Sequence, residues 1–280
     1  MPNFFPNADF LKTDMNIPLN NGTIHEILSA QPFIPLPKAI NIRDLGLLPH
    51  SPIPPSLIYR SGSLSSVTPP SLFNLNIKTI LDLRSESEVQ RHPNPVPSVW
   101  IPFTKAPSPI GMSKFVEEDG VKAYKEMYCE IAEICAPGFR RAFEWVRGWV
   151  VIDGGMVVHC TGKDRTGVLS ALLLSLAGAS RELIAYDYTL TRIGVEPRRE
   201  VLLQMLKLWN KEWTNETPGI REFVQVKGEY ILAFLDAVAE RYGGVRGYVR
   251  DVLVFEEDEV VAMELVLRGE SGAKDGQMTA

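Results

Sequence analysis

Residues 156–167 read MVVHCTGKDRTG and bring a thiol, a lysine and an arginine into one glycine-flanked turn. The turn follows one apolar run and precedes another, VLSALLLSLAG at 168–178, so a strand, a turn and a helix are predicted in that order. The N-terminus of a helix presents backbone N–H groups that lack partners, and its dipole adds positive potential. The sequence therefore predicts an anion-binding loop that contains Cys160.

Cys160 has the surroundings of a nucleophile, because the loop amides, Lys163 and Arg165 favour the thiolate form. The planar guanidinium of Arg165 can hold two phosphate oxygens at once. With the amides, it would stabilise the charge on a phosphoryl group that moves to sulfur. Thr166 could hydrogen-bond the departing thiolate, and His159 could orient the loop or tune the thiol. These residues indicate hydrolysis of a phosphate monoester through a phosphocysteine, without a metal or cofactor.

The other residues of the turn are candidates for contact with the substrate. The predicted substrate-binding set comprises His159, Thr161, Gly162, Lys163, Thr166 and Gly167.

The general acid is less evident. Asp164 lies inside the loop, and Asp82 ends the β-rich apolar core of residues 78–85, which predicts a buried strand that runs into a polar loop. Either carboxyl group would have to reach the leaving oxygen while protonated. Asp82 is slightly favoured, because two neighbouring cations favour the ionised form of Asp164.

HCTGKDRTG resembles the signature of Cys-dependent protein tyrosine and dual-specificity phosphatases, and its GKDRTG ending resembles their lipid-phosphatase-like branch in bacteria and fungi. Five further stretches extend the resemblance: NIRDLG (41–46), LIYRSGSL (57–64), LDLRSESEV (81–89), LIAYDYTLT (183–191) and ERYGGVRGYVRD (240–251). The resemblance implies that Cys160 is the nucleophile and that Arg165 binds phosphate. It also matches Lys163 and Asp164 to a pair seen in phosphoinositide-active relatives.

The loop is one residue shorter than the pattern of that family, because four residues rather than five separate Cys160 from Arg165. One residue contributes up to about 3.3–3.6 Å of chain. The loop could tighten at Gly162 and keep its activity, it could keep binding and lose catalysis, or the sequence could carry a deletion that the natural protein lacks. The sequence favours an enzyme, and the alternative is a pseudophosphatase that binds phosphorylated partners. Rhodanese-like sulfur transfer also uses a cysteine in an anion-binding loop, but the downstream RTG and the family matches argue against it.

Several polar residues outside the loop are predicted to support the fold. Arg84 and Glu88 are expected to form a scaffold ion pair. Asp44 is expected to fix a turn by hydrogen bonding, and Arg60 either to line the rim of the pocket or to pair with an aspartate. Cys129 and Cys135 are expected to be small core residues.

The segments around the loop predict one α/β domain in which a short, mostly parallel sheet is flanked by helices. Strands are predicted at 78–85, at 99–103 and before Cys160, with a possible short strand pair near Ile40–Leu48; amphipathic helices are predicted at 138–151, 181–193, 197–213, 228–243 and 258–269. The domain is assigned to residues 21–268. The Asn- and Pro-rich residues 1–20 are predicted to be disordered and the polar residues 269–280 to be a flexible tail.

Composition limits the possible partners and the compartment. The 29 basic and 34 acidic residues give a net charge of −5, which excludes a global positive field for nucleic acid. Three cysteines without CxxC spacing indicate a reducing, cytoplasmic compartment and no metal site. The apolar run at 168–178 is about half the length that a membrane span needs.

The expected substrate is a phosphotyrosine protein, then a phosphoinositide or a small-molecule phosphate.

Overall fold

A five-stranded sheet lies at the centre of the computed structural model, which describes residues 8–94, 97–152, 154–214 and 216–270. The strands are β1 (Arg43–Asp44), β2 (Ile58–Ser61), β3 (Ile77–Asp82), β4 (Val99–Trp100) and β5 (Gly155–His159). Their order is β1-β2-β5-β3-β4, in which β1 is antiparallel to β2 and the other neighbours are parallel. This topology confirms the predicted α/β class and the mostly parallel sheet.

Helices pack on both faces of this sheet. The α-helices are α1 (Ala8–Leu11), α2 (Asn21–Leu28), α3 (Pro69–Phe73), α4 (Glu86–Arg91), α5 (Val121–Ile134), α6 (Ala136–Ile152), α7 (Asp164–Leu176), α8 (Arg181–Thr189), α9 (Thr191–Gly194), α10 (Arg199–Trp209), α11 (Ile220–Phe223), α12 (Gly228–Tyr242), α13 (Val245–Asp251) and α14 (Glu257–Leu267). Short 3₁₀ segments span Leu45–Leu47, Met112–Gly120 and Glu196–Arg198.

Successive side chains of β5 enter two different cores, because neighbouring residues of a strand point to opposite faces. Val157 packs with Tyr59 in a smaller cluster, whereas Met156 and Val158 pack in the main cluster with the C-terminal helices. A strand buried on both faces shows a continuous apolar run rather than an alternating one. This explains why residues 155–159 show no alternation in the sequence.

The central position of β5 decides where the loop lies. In register, His159 pairs with Ser61 at the end of β2 and with Asp82 at the end of β3. The carboxyl ends of three parallel strands therefore meet next to Cys160. In open α/β sheets this edge is where ligands bind.

Helix α7 follows the loop and is buried around its whole circumference. Its buried side chains include Val168, Leu169 and Leu172, none of which has exposed surface, and it contacts β2, α5, α8 and α13. A helix that is apolar on all sides is typical of the interior of a domain. The packing therefore fixes the direction in which the N-terminus of α7 points. Within the described ranges, no helix is both long and apolar enough to span a bilayer.

Several predicted elements exist but are shorter than the sequence pattern. The strand predicted at 99–103 is formed only at Val99–Trp100, since Pro102 lacks the N–H group that a strand donates. The strand pair predicted near Ile40–Leu48 is instead a pairing of β1 with β2. The helix predicted at 197–213 opens as a 3₁₀ segment, and α10 ends at Trp209.

Residues 8–20 differ from the disordered N-terminus that their composition predicts. Leu11 and Met15 are buried, and the fully enclosed Arg192 donates to the carbonyl oxygens of Thr13 at 2.9 Å and Ile17 at 2.6 Å. Apolar side chains spaced by four residues and a buried guanidinium together attach this segment to the domain. Residues 1–7, and residues 271–280 of the predicted tail, lie outside the described residues.

Candidate active site

Gly162 is the residue at which the short loop turns. Its φ of +101° lies in the left-handed region that favours glycine. A Cβ atom at this position would lie 2.9 Å from the Cα atom of Gly62. Lys163 then serves as the N-cap residue of α7, which begins at Asp164. The loop is therefore closed by backbone freedom and close packing at one glycine.

The Cys160 thiol lies at the floor of the loop and has no exposed surface. The amide nitrogen of Gly162 lies 3.3 Å from Sγ. The hydroxyl oxygens of Thr166 and Thr161 lie 3.7 and 3.9 Å from the same sulfur. Hydrogen bonds donated by such groups stabilise a thiolate. The structure thus brings together four of the residues that the sequence assigns to the site.

His159 lies behind the loop. It is fully buried, and its Nε2 atom is 3.1 Å from the side-chain nitrogen of Asn94 and 3.6 Å from Oδ1 of Asp82. Burial lowers the pKa of His159 to about 4 although the charge of Asp82 opposes the shift, so the ring is neutral at pH 7. These contacts join the end of β5 to the end of β3 and to Asn94, and the Nδ1 atom of His159 has no partner in the described part of the chain. Across the described ranges, no group of three or more His, Cys, Asp and Glu side chains is arranged to hold a metal ion.

Gly167 is a packing position in the first turn of α7. Its amide donates to the carbonyl oxygen of Lys163 at 2.9 Å. An added Cβ atom would lie 3.1 Å from the ring of Tyr188. The role that the structure gives Gly167 is close approach between α7 and α8.

Arg165 is held from one side by protein groups. Its Nη1 atom donates to Glu88 at 2.7 Å and to the carbonyl oxygen of Leu83 at 3.0 Å, and Nη2 donates to Glu88 at 2.9 Å. A guanidinium carries five N–H donors; the N–H of Nε and one N–H of Nη2 have no partner within the described part of the chain. These two donors form a fork suited to two oxygens of one phosphate. Burial would lower the pKa of Arg165, but Cys160 and Glu88 outweigh it and raise the pKa, so the group stays charged.

Glu88 is the partner of Arg165, and the predicted ion pair between Arg84 and Glu88 is wrong. Arg84 instead pairs with Asp82 at 2.7 Å. Burial alone would raise the pKa of Glu88, but hydrogen bonds and charge from Arg165 and Ser85 lower it to about 2. Glu88 also accepts a hydrogen bond from the Ser85 amide at 2.7 Å and so links the start of α4 to Arg165.

The two candidate acids have different surroundings. Asp82 is buried and accepts hydrogen bonds from Arg84 at 2.7 Å and from Asn94 at 2.9 Å. Burial favours protonation, but Arg84 outweighs it and keeps the pKa of Asp82 below its usual range. Asp164 is 28% exposed, and its Oδ1 atom accepts from the hydroxyl of Tyr128 at 2.8 Å. Asp82 is thus enclosed in an ion pair, whereas Asp164 is partly exposed at the start of α7.

A buried network behind the loop holds two of its carbonyl groups. The Nη2 atom of Arg60 donates to the carbonyl oxygens of Gly162 at 3.2 Å and Lys163 at 3.4 Å. The side chain of Asn41 also donates to the carbonyl of Gly162, at 2.8 Å. In a trans peptide the next N–H group points opposite to the carbonyl. The amides of Lys163 and Asp164 are therefore turned away from Arg60.

Asp187 fixes the arginine that holds the loop. Its carboxylate lies 2.5 Å from Nη1 of Arg60 and 2.7 Å from Nε of Arg43, and all three side chains are buried. Burial would raise the pKa of Asp187, but the two arginines outweigh it and keep the carboxylate ionised. Of the two roles that the sequence left open for Arg60, pairing with an aspartate is the one observed. In the sequence, this network is indicated only by a charged residue inside each of two apolar runs, Arg60 in LIYRS and Asp187 in LIAYD.

Comparison with known proteins identifies the relatives of this arrangement. A family model described as the tyrosine phosphatase family matches residues 34–268, a range that includes the loop and its supporting network. The triple specificity protein phosphatase PtpB of Mycobacterium tuberculosis is 26% identical over 257 residues, which cover 77% of this chain and 92% of the relative. A tyrosine-protein phosphatase of Nostoc commune is 26% identical over 206 residues, 70% of this chain and 68% of the relative. A putative tyrosine-protein phosphatase of Cupriavidus necator is 26% identical over 243 residues, 76% and 81% of the two chains.

Replacing Arg60 tests whether the position of the loop carbonyl groups, and not only the stability of the protein, depends on this arginine. Arg60→Gln leaves two loop carbonyls without their donor, and we expect a loss of about 100-fold in kcat/KM towards p-nitrophenyl phosphate, as for a misplacement of about 1 Å. Breaking the buried pair should also cost about 3–5 kcal/mol of stability. Arg192→Gln is the matched control, because Arg192 is equally buried but contacts no loop carbonyl. Equal losses of kcat/KM in the two folded variants would contradict the assigned role.

Glu88 should make the stability of the protein depend on pH in the acid range. Its pKa is about 2 in the folded protein against an ordinary 4.5, so its contribution is present above pH 4.5 and is lost as the pH falls towards 2. The contribution of Glu88 to the free energy of unfolding is at most about 3 kcal/mol, and it is smaller after solvent screening. Urea unfolding should show a gap between wild type and Glu88→Gln that is largest at neutral pH and shrinks on acidification. Glu86→Gln, at an exposed position in the same helix, should show no such gap; a gap for Glu88→Gln that is constant with pH would refute the linkage.

Proposed function

This chain belongs to the tyrosine phosphatase family and is a phosphatase; on that premise, we propose that it hydrolyses phosphate monoesters through a phosphocysteine formed on Cys160. The observation that carries the proposal is the meeting of three features at one edge of the sheet. The thiol lies beside the Gly162 amide, α7 begins within the loop, and two N–H donors of Arg165 have no partner among the described residues. Each of these features favours either a thiolate or a bound phosphate.

In the first step, the Cys160 thiolate attacks phosphorus. The S–P bond forms as the bond between phosphorus and the leaving oxygen breaks. The fork of Arg165 and the loop amides stabilise the charge on the equatorial oxygens. Asp164 donates its proton to the leaving oxygen, so that the product leaves as a neutral alcohol or phenol.

In the second step, a water molecule attacks the phosphocysteine. The Asp164 carboxylate accepts a proton from that water, the O–P bond forms and the S–P bond breaks. Inorganic phosphate leaves, and the thiolate returns to the hydrogen bonds of the Gly162 amide and the Thr166 hydroxyl.

An apolar cavity beside the loop supports substrates with an apolar leaving group, of which a phosphotyrosine protein is the first candidate. The cavity has a volume of about 100 Å³. Its floor includes Thr161 and Asp164, and its walls include Leu202, Leu206, Val224 and Val226. Phosphoinositides and small-molecule phosphates are the next candidates, since the GKDR sequence of the loop resembles that of phosphoinositide-active relatives.

We further propose that residues 21–268, with the segment at 8–20 that packs against them, act as a single domain and that the protein works in the cytoplasm. The family match at 34–268 supports the first point. The second is supported by the three cysteines, which are free and buried, as is common in a reducing compartment.

The phosphocysteine is tested by Cys160→Ser. We expect turnover of p-nitrophenyl phosphate to fall to background, because a serine hydroxyl is scarcely ionised where a thiol can be a thiolate. Rapid quenching of the wild-type protein followed by peptide mass spectrometry should place a phosphoryl group on Cys160. Cys129→Ser is the control, since Cys129 is also buried but belongs to the core of α5 and α12. Phosphate binding by the wild-type protein without any turnover would overturn the proposal.

The choice of acid is tested with two leaving groups. Asp164→Asn should lower kcat/KM by about 10²–10⁴ for a phosphotyrosine peptide, within the range of general acid catalysis. The loss should be much smaller for p-nitrophenyl phosphate, because nitrophenolate leaves without a proton. Asp82→Asn should weaken the buried pair with Arg84 and affect both substrates alike. A leaving-group dependence that appears in Asp82→Asn instead would reverse the assignment.

A further inference from the structure

Lys163 does not have the contacts of a phosphate ligand, although the sequence assigns it to substrate binding. Its Nζ atom donates to the hydroxyl of Tyr124 and, at 3.2 Å, to the carbonyl oxygen of Phe223. The same nitrogen lies 4.5 Å from the centroid of the Tyr124 ring and 5.7 Å from that of Phe223. The ammonium is therefore enclosed by two aromatic rings and two oxygen acceptors.

Two of the three N–H donors of this ammonium are occupied. An ammonium group has three N–H donors. Tyr124 and Phe223 accept from two of them, and the carboxylate of Asp164 lies 3.7 Å from the nitrogen, at ion-pair distance. The Tyr124 hydroxyl in turn donates to the carbonyl of Phe223, so that Lys163, Tyr124 and Phe223 form a closed triangle. A second phosphate on a substrate would have to compete for this ammonium with Asp164 and with the two oxygen acceptors.

Burial holds the triangle together. The side chain of Lys163 is only 18% exposed, and Tyr124 and Phe223 are buried. The ring of Phe115 packs edge-on against both aromatic partners, at centroid distances of 5.1 and 5.0 Å. Withdrawing the ammonium would leave a buried carbonyl short of a donor and an aromatic pocket without its cation, both of which are unfavourable.

The triangle joins the catalytic loop to one wall of the apolar cavity. Lys163 belongs to the loop, whereas Phe223 ends α11 and is followed by Val224 and Val226, which line the cavity together with Thr161. Lys163 is the only cation among the residues that line this cavity in the described part of the chain. Its contacts therefore fix the distance between the floor of the cavity and that wall.

We propose that Lys163 is a positioning residue that fastens residues 220–226 to the catalytic loop, and that it sets how the leaving group is held without binding substrate phosphate. The inference rests on the proposed function, because it assumes that the leaving group enters this cavity. In this proposal, the apolar side of the cavity formed by residues 220–226 determines which leaving groups can bind. The class that fits is a phosphate monoester with an uncharged, apolar leaving group and a single phosphate.

Lys163→Met tests this role, because methionine keeps the length and apolar packing of the side chain but removes its charge and donors. Hydrogen exchange of the amides of residues 220–226 should become faster. The KM for a phosphotyrosine peptide should rise by about tenfold, whereas the Kd for inorganic phosphate, measured by calorimetry, should change by less than about twofold. Lys122→Met is the control, since Lys122 is exposed and pairs only with Glu117.

Tyr124→Phe provides a second route if Lys163→Met does not fold. It removes one corner of the triangle and leaves the ammonium and the ring in place. We expect faster exchange at residues 220–226 and an unchanged Kd for phosphate. A phosphate Kd that rises about tenfold or more in Lys163→Met, or exchange that stays as in wild type in both variants, would overturn the proposal. Because exchange and phosphate binding need no turnover, these outcomes are distinct from a failure of the wild-type protein to hydrolyse p-nitrophenyl phosphate.

Discussion

The catalytic loop depends on a buried charge cluster in which Arg43 and Arg60 share the carboxylate of Asp187. Two guanidinium groups and one carboxylate leave a net positive charge away from water. Such a charge is costly unless its donors find acceptors. The carbonyl oxygens of Gly162 and Lys163 accept from Arg60, whereas the Nε atom of Arg60 has no partner among the described residues. The loop and the cluster therefore stabilise each other.

Each parallel strand beside β5 contributes a different support at the edge where the loop lies. The end of β2 supplies Arg60, which holds the loop from behind. The chain that leaves β3 supplies Glu88, which aligns the guanidinium of Arg165. The sheet order therefore brings together groups that are far apart in sequence, and β5, which leads to Cys160, lies between the two strands that supply these supports.

Local sequence patterns were sufficient to predict the strand, turn and helix around Cys160, but not the side-chain contacts that surround the loop. The order of strand, turn and helix around Cys160 is set by neighbouring residues, and the structure has it as predicted. The pair of Arg60 and Asp187 joins positions 127 residues apart, and no periodicity specifies which carboxylate an arginine meets. Arg84 illustrates the same limit at short range, since both Asp82 and Glu88 were within its reach along the chain. The geometry of β3 and α4, rather than sequence spacing, decided between them.

The role of Lys163 could not be inferred from residue type, because it depends on how the chain turns at Gly162. With the helix starting at Asp164, the lysine becomes an N-cap residue whose side chain reaches the aromatic rings. The N-terminal segment shows a related effect. Its composition indicates disorder, yet Leu11 and Met15 find a buried surface that only the folded domain provides.

The complete enclosure of α7 has a consequence for how the protein loses its activity. Because this helix is both the scaffold of the phosphate site and the middle of the hydrophobic core, the site has no boundary along which it could detach from the rest. Catalytic competence and global folding are then a single cooperative unit. Partly unfolded forms of the chain should therefore have no activity rather than reduced activity, and on heating the activity should be lost in a single step together with unfolding of the core.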